Sequence, residues 1–156
     1  VVFIVQSRPA FKSRVINRAI DSKFLAKKRF SVILRSNFNA MVSISTARQL
    51  ALSLPEAEEH SHFSLPDFRV KKKIFASLHE DKGYVMVKLS LTDQSVFCSF
   101  DKETIFPVPG GWGRQGATFV NLKKVKKSML LDALTTAWKN VAPPKMVAKY
   151  FPGDKE

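Results

Sequence analysis

Only one cysteine, Cys98, occurs in the 156 residues. A lone thiol excludes a disulfide framework within the chain and any cysteine-rich zinc site, and a reducing cytoplasm is the expected compartment. Long apolar runs are also missing. None approaches the roughly 20 residues that a helix needs to cross a bilayer, so no membrane partner is expected. Acids are scarce, 13 Asp and Glu against 26 Lys and Arg, for a formal net charge of +13. A balance so basic suggests an anionic partner such as nucleic acid. What is present is apolar and aromatic: 45% hydrophobic residues, with 13 Phe among them. That is too hydrophobic for a disordered chain and enough for one compact domain with a real core.

The charge is unevenly spread. Residues 1–40 hold nine basic residues and one acid, Asp21, and so carry +8; residues 41–156 hold the other 17 basic and 12 acidic residues, or +5. The first forty residues are rich in Arg, Lys and Ser, a composition like that of an organelle transit peptide. The first methionine is Met41, directly ahead of a helix start. Residues 1–40 are therefore expected to be an N-terminal extension, either translated from upstream of the true start or a genuine basic tail. The folded domain is expected over 41–156.

Within that domain the hydrophobic periods alternate between helix and strand. Ser45-Thr46 can cap a helix whose apolar face is Ala47, Leu50, Ala51 and Leu54, and Pro55 ends it. "EAEEHSH" reads as a polar connection. Phe68 and Val70, then Ile74, Ala76 and Leu78, then Val85, Val87 and Leu89 recur at a period of two, which predicts three half-buried antiparallel strands joined by tight turns. Thr92 or Asp93 can cap a short helix with Val96, Phe97 and Phe100 on one side. "ATFVNL" predicts a further strand. Leu130, Leu131, Leu134, Ala137, Trp138 and Val141 predict an amphipathic helix ended by Pro143-Pro144, and "KMVAKYF" can add one more helical turn. The order helix, three strands, helix, strand, helix implies an α+β fold on an antiparallel sheet.

One stretch spells a nucleotide-binding fingerprint. Gly111-Trp112-Gly113-Arg114-Gln115-Gly116 is G-x-G-x-x-G. A dinucleotide turn needs a strand before it and a helix after it. Here Phe106-Pro107-Val108-Pro109 precedes and a strand pattern follows, so a glycine-rich connection is expected and no cofactor. Trp112 is expected to anchor this loop to the core, with Arg114 more exposed; if both face outward, Arg can contact phosphate and Trp can stack.

Two basic clusters stand out. Arg69, Lys71, Lys72 and Lys73 lie at a predicted hairpin, where a strand tip can grip phosphates or be merely solvated. Lys123, Lys124, Lys126 and Lys127 precede the last helix, where positive charge opposes the macrodipole. His60 and His62 supply two ligand types without a third, so no metal site is expected. Nothing buries Glu56, Glu58 and Glu59 in a way that would separate their pKa values for acid–base work. Cys98 is expected as a buried structural thiol. No catalytic set is legible, and no enzyme is expected.

Four ordered segments, "LALSLPEAEEHSHFSLPDFRVKKKIFASL", "GYVMVKLS", "FPVPGGWGRQGATFVNL" and "LLDALTTAWKNVAPPK", resemble the MmcQ/YjbR family over about residues 44–148. Lys72 departs from that pattern, where Gly is common in the turn, and so does Ala117, where a second Trp is frequent. The resemblance implies a small α+β domain of double-wing shape described as DNA-binding, with a fold also like that of type III secretion chaperones. Two functions are then expected in order. The first is a non-enzymatic DNA-binding domain touching the backbone through Arg69, Lys71, Lys72, Lys73, Trp112 and Arg114, with Lys123, Lys124, Lys126 and Lys127 adding charge. The second is a protein-interaction module, favoured by an exposed apolar patch containing Phe75, Met86 or Tyr150.

Overall fold

The structure, a computed structural model, describes residues 41–153. The extension expected over 1–40 lies outside the described residues. The elements run α1 (Ile44–Leu52), β1 (Ala57–His62), β2 (Leu65–Val70), β3 (Lys73–His79), β4 (Tyr84–Lys88), α2 (Leu91–Phe100), β5 (Ile105–Pro107), a 3₁₀ turn (Gly113–Gln115), β6 (Ala117–Asn121), α3 (Lys127–Val141) and α4 (Pro144–Tyr150). The strands form one sheet in the order β1-β2-β3-β4-β6-β5, and every neighbouring pair is antiparallel.

Register sorts the side chains onto two faces. Glu59, Phe68, Ala76, Val87, Thr118 and Pro107 form one row across the sheet, and His60, Asp67, Ser77, Met86, Phe119 and Phe106 the next. The face of the first row carries the core. Phe68, Val70, Phe75, Leu78, Val85, Val87 and Val120 are buried there, under α1 and α3, whose inward residues include Leu50, Ala51, Leu130, Leu134 and Trp138. No helix among the described residues is long and apolar enough to cross a membrane.

The expected helices and strands are present, with corrections that have physical causes. "EAEEHSH" is not a connection: all of it after Glu56 is strand β1. It is an edge strand in which Ala57 is half-buried and residues 58–61 are exposed, so no apolar alternation marks it, and charges at an edge discourage further pairing. The acids here have side-chain partners: Glu56, just before the strand, pairs with Lys71 at 2.5 Å, Glu58 lies 3.3 Å from the His60 ring nitrogen, and Glu59 pairs with Arg48 at 3.0 Å. Strand β5 also escapes notice because it is three residues long and ends in proline, as an edge strand can. The N-caps fall earlier than expected. Ser43 caps α1 by accepting from the Thr46 amide, and Ser90 caps α2 by accepting from the Asp93 amide.

A bulge changes which β3 residues enter the core. Phe68 pairs with Ala76 but Arg69 pairs with Ile74, so Phe75 is an extra residue. A bulge resets the alternation of faces. Phe75 joins the core at 0% exposure beside Phe68, while Ile74 turns half-exposed to the opposite face. Phe75 therefore belongs to no exposed patch. In α2 the inward residue is Gln94, and Val96 and Phe100 are 53% and 67% exposed. Cys98 is half-buried rather than buried, and that burial pushes its thiol pKa up, away from thiolate chemistry.

The β2–β3 turn consists of Lys71 and Lys72, both at positive φ (47° and 68°). A two-residue hairpin turn of this kind demands φ > 0 at both positions and favours Asn-Gly. Lysine there costs about 1 kcal/mol of backbone strain. Lys72→Gly is expected to raise the melting temperature by about 3 °C, read by thermal unfolding; a lowered value would mean that the Lys72 side chain makes a stabilising contact that outweighs the strain.

Candidate nucleic-acid interface

The sheet face opposite the core holds a groove of about 880 Å³. Leu65, Ile74 and Met86 give it an apolar floor, Asp67, Ser77 and His79 sit among them, and Lys72, Lys73, Lys88 and Trp112 stand round it. Beside the groove an aromatic cluster continues over β4, β6 and β5. Phe119 meets the His79 ring edge-on at 5.1 Å, Tyr84 at 5.5 Å and Phe106 at 6.0 Å.

The polar groups of the floor are accounted for. Asp67 is 2% exposed, and the Arg69 guanidinium donates to both its carboxylate oxygens at 2.6 and 2.9 Å. Burial, helped by the Lys82 charge, holds the His79 ring below the usual histidine range, so it is neutral at pH 7. The floor therefore carries little net charge, and the charge of the site is the three lysines at its margin.

The antiparallel register decides which basic residues meet. β3 starts beside the Lys71–Lys72 turn, and β4 and β6 have Lys88 opposite Ala117. The hairpin tip and the 3₁₀ turn before Ala117 thus stand at the same end of the sheet. That brings Lys71, Lys72, Lys73, Lys88, Trp112 and Arg114 to one end. Lys123 and Lys124 follow the other end of β6, where the Leu122 amide donates to the Gly83 carbonyl of the β3–β4 turn at 3.0 Å. Lys126 and Lys127 open α3 at that far end. The two clusters do not converge.

Three of the expected contact residues are already engaged. Arg69 is committed to Asp67, Lys71 to Glu56 and Lys124 to Glu103 at 2.5 Å. Lys72, Lys73, Lys88 and Arg114 are exposed and make no ion pair among the described residues. Lys88 was missed in the sequence because it closes a strand and belongs to no run. The periodic Val85 and Val87 place it, like Met86 and unlike them, off the core-facing pattern only through parity with Met86.

Trp112 corrects an expectation. It does not anchor the loop to the core: its side chain is 73% exposed. Its backbone is nonetheless fixed, because its carbonyl accepts from the Gln115 amide at 3.0 Å and the Ala117 amide at 3.1 Å. Buried Gln94 donates to the Gly113 and Ala117 carbonyls and to Thr118 Oγ1 at 3.0–3.2 Å. The result is a rigid turn presenting a free indole face beside lysines. No helix follows the glycines, so the cradle for a pyrophosphate is not formed there. Exposed His60 pairs with Glu58, and among the described residues no three His, Cys, Asp or Glu groups are placed to hold a metal.

Comparison with known proteins agrees with this architecture. The solved structure of the Deinococcus radiodurans protein DR2400, a DUF419-domain protein, is similar with a TM-score of 0.57 at 16% identity, over 73% of this chain and 84% of that one. No curated protein matches. The YjbR family model matches residues 52–140, more than half of the chain, and the chain belongs to the YjbR family.

Proposed function

We propose that this chain is a non-enzymatic DNA-binding protein that holds the phosphate backbone at the Lys72, Lys73 and Lys88 margin of the open sheet face. The observation that carries this reading is the gathering of three unpaired lysines and an exposed tryptophan round one groove. Arg114, on the same turn as Trp112, extends the positive margin. A reducing cytoplasm suits a chain with one cysteine.

Each phosphate neutralised on a duplex contributes about −0.9 to the log–log salt slope. Replacing Lys72, Lys73 and Lys88 together by alanine in the full chain is expected to make the slope shallower by about 2.7, measured by fluorescence anisotropy on duplex DNA. The alanine variant of Lys123, Lys126 and Lys127 is expected to change it less. An unchanged slope in the first variant removes the groove margin from the function, and a larger change in the second moves the function to the far end.

Helix α2 favours a second reading as a protein-interaction module. Its outer face, Leu91, Thr92, Ser95, Val96, Ser99 and Phe100, is exposed and carries no charge. Of the residues expected in an apolar patch, Met86 lies half-buried on the groove floor and Tyr150 half-buried against Trp138, and the exposed apolar residues of α2 form a second apolar surface. Self-association by light scattering that Phe100→Lys abolishes would support this reading; a monomer at every concentration would count against it.

A further inference from the structure

We infer that the groove takes unpaired nucleotides, with bases laid on its apolar floor and against Trp112, and phosphates on Lys72, Lys73 and Lys88. This rests on the DNA-binding reading and narrows it from backbone contact to single-stranded nucleic acid.

The argument is one of matching surfaces. A duplex offers a protein its phosphates and the edges of its bases; the faces are hidden in the stack. Lysines alone would suit it. Here the lysines border a concave floor made by Leu65, Ile74 and Met86, with an indole face standing at the margin. A duplex backbone laid across the margin would leave that floor and that indole facing sugar and phosphate. An unstacked base has an apolar face of the required kind, and base–aromatic stacking is tolerant of sequence because every base has one. Open β-sheets with aromatic faces are an established platform for splayed bases, and here Phe119, Tyr84 and Phe106 prolong the floor across the neighbouring strands.

Charge and length agree. The one acid in the groove, Asp67, is neutralised by Arg69, so nothing inside it repels a phosphate chain. β3 spans seven residues, or about 23 Å at the usual rise per residue, long enough for several extended nucleotides. The structure also supplies its own reporter. The chain has two tryptophans; Trp138 is fully buried and Trp112 is 73% exposed. A stacked base will quench Trp112 and leave Trp138 unaffected.

The test uses the full chain with an oligothymidylate of about 12 nucleotides, a duplex of equal length, and polyglutamate of matching charge. The expected result is quenching of tryptophan fluorescence by the oligothymidylate, lost in Trp112→Phe, with at least tenfold weaker binding to the duplex. Trp112→Ala is expected to weaken single-strand binding about tenfold. The fold should tolerate that change, since the indole is exposed and the turn is held by backbone bonds. Duplex binding equal to or tighter than single-strand binding, or binding without quenching, overturns this inference while the DNA-binding reading stands. No binding to either nucleic acid overturns both. Equal displacement by polyglutamate reassigns the groove to an acidic protein segment and overturns the inference.

Discussion

Gly116→Ala is expected to destabilise the protein by about 3–5 kcal/mol, and Gly113→Ala by a similar amount. Neither position has space for a methyl group. A Cβ on Gly116 would lie 2.0 Å from the Leu89 carbonyl oxygen, and one on Gly113 would lie 1.9 Å from the Val108 carbonyl oxygen. Both obstacles are backbone, so no rotamer change relieves them. At Gly116 the backbone adds its own cost, since φ is +93°, a region that L-residues occupy only with strain of about 1–3 kcal/mol. Moving Leu89 away would also break its amide bond to the Gly116 carbonyl at 3.0 Å, which ties the end of β4 to the start of β6. The neighbours are internal controls. Gly111 faces open space with ordinary φ, so Gly111→Ala should change stability by less than about 0.5 kcal/mol. Gly110 also faces open space but has φ +89°, so Gly110→Ala should cost about 1–2 kcal/mol from the backbone alone. Urea midpoints are expected to fall in the order Gly111, Gly110, then Gly113 and Gly116. Equal effects at all four positions would mean that the loop is not held as described.

That ranking explains what the G-x-G-x-x-G spelling is for. Its second and third glycines are spaced for two close approaches of backbone to backbone. Its first is free to vary, whereas a dinucleotide turn needs all three. The spacing by itself could not tell the two uses apart, but the flanking prolines and the strand that follows could, because a pyrophosphate site needs a helix N-terminus.

Most of the fold was legible wherever burial is one-sided. Val85, Val87 and Val120 mark their strands because one face meets the core and the other does not. The amphipathic stripe from Leu130 to Val141 marks α3 for the same reason. Legibility failed where that asymmetry fails. β1 has no buried face of its own, and β5 is too short to show a period. The β3 pattern Ile74, Ala76, Leu78 was real as a spelling but misplaced Ile74, because the bulge at Phe75 shifts the parity of the strand after Ala76 is counted backwards. A run of residues cannot announce a bulge that depends on what Phe68 packs against across the strand gap.

The candidate site was legible in part, as charge without arrangement. Sequence runs found Lys71–Lys73 and Lys123–Lys127 equally well, and only the antiparallel register showed that a full strand separates them. The same register recruited Lys88, which no run contained. Ion pairing then removed Arg69, Lys71 and Lys124 from the free cations, each through an acid that is distant in sequence or, for Asp67, on the same strand face two residues away. Of the two tryptophans only Trp112 misled: it stands between glycines on its turn and is exposed, whereas Trp138 lies on the inner stripe of α3 and is buried.

Trp138→Ala is expected to cost about 4 kcal/mol, among the largest effects of any single substitution in the core. The side chain is fully buried, and two other parts of the domain meet on it. Its indole nitrogen donates to the Pro55 carbonyl at 3.0 Å, which holds the link between α1 and β1. Tyr150 and Phe151 from the end of α4 pack on its rings, with centroids at 6.4 and 5.5 Å. Alanine would open a cavity that those elements cannot close without leaving the sheet. Trp138→Phe separates the two contributions. It keeps an aromatic ring in the core but leaves the Pro55 carbonyl without its donor, and should cost about 1–3 kcal/mol. Urea unfolding of both variants, followed by far-UV circular dichroism, checks the pair. If the phenylalanine variant were as unstable as the alanine variant, the hydrogen bond to Pro55 rather than the filled volume would be what joins α3 to the edge of the sheet.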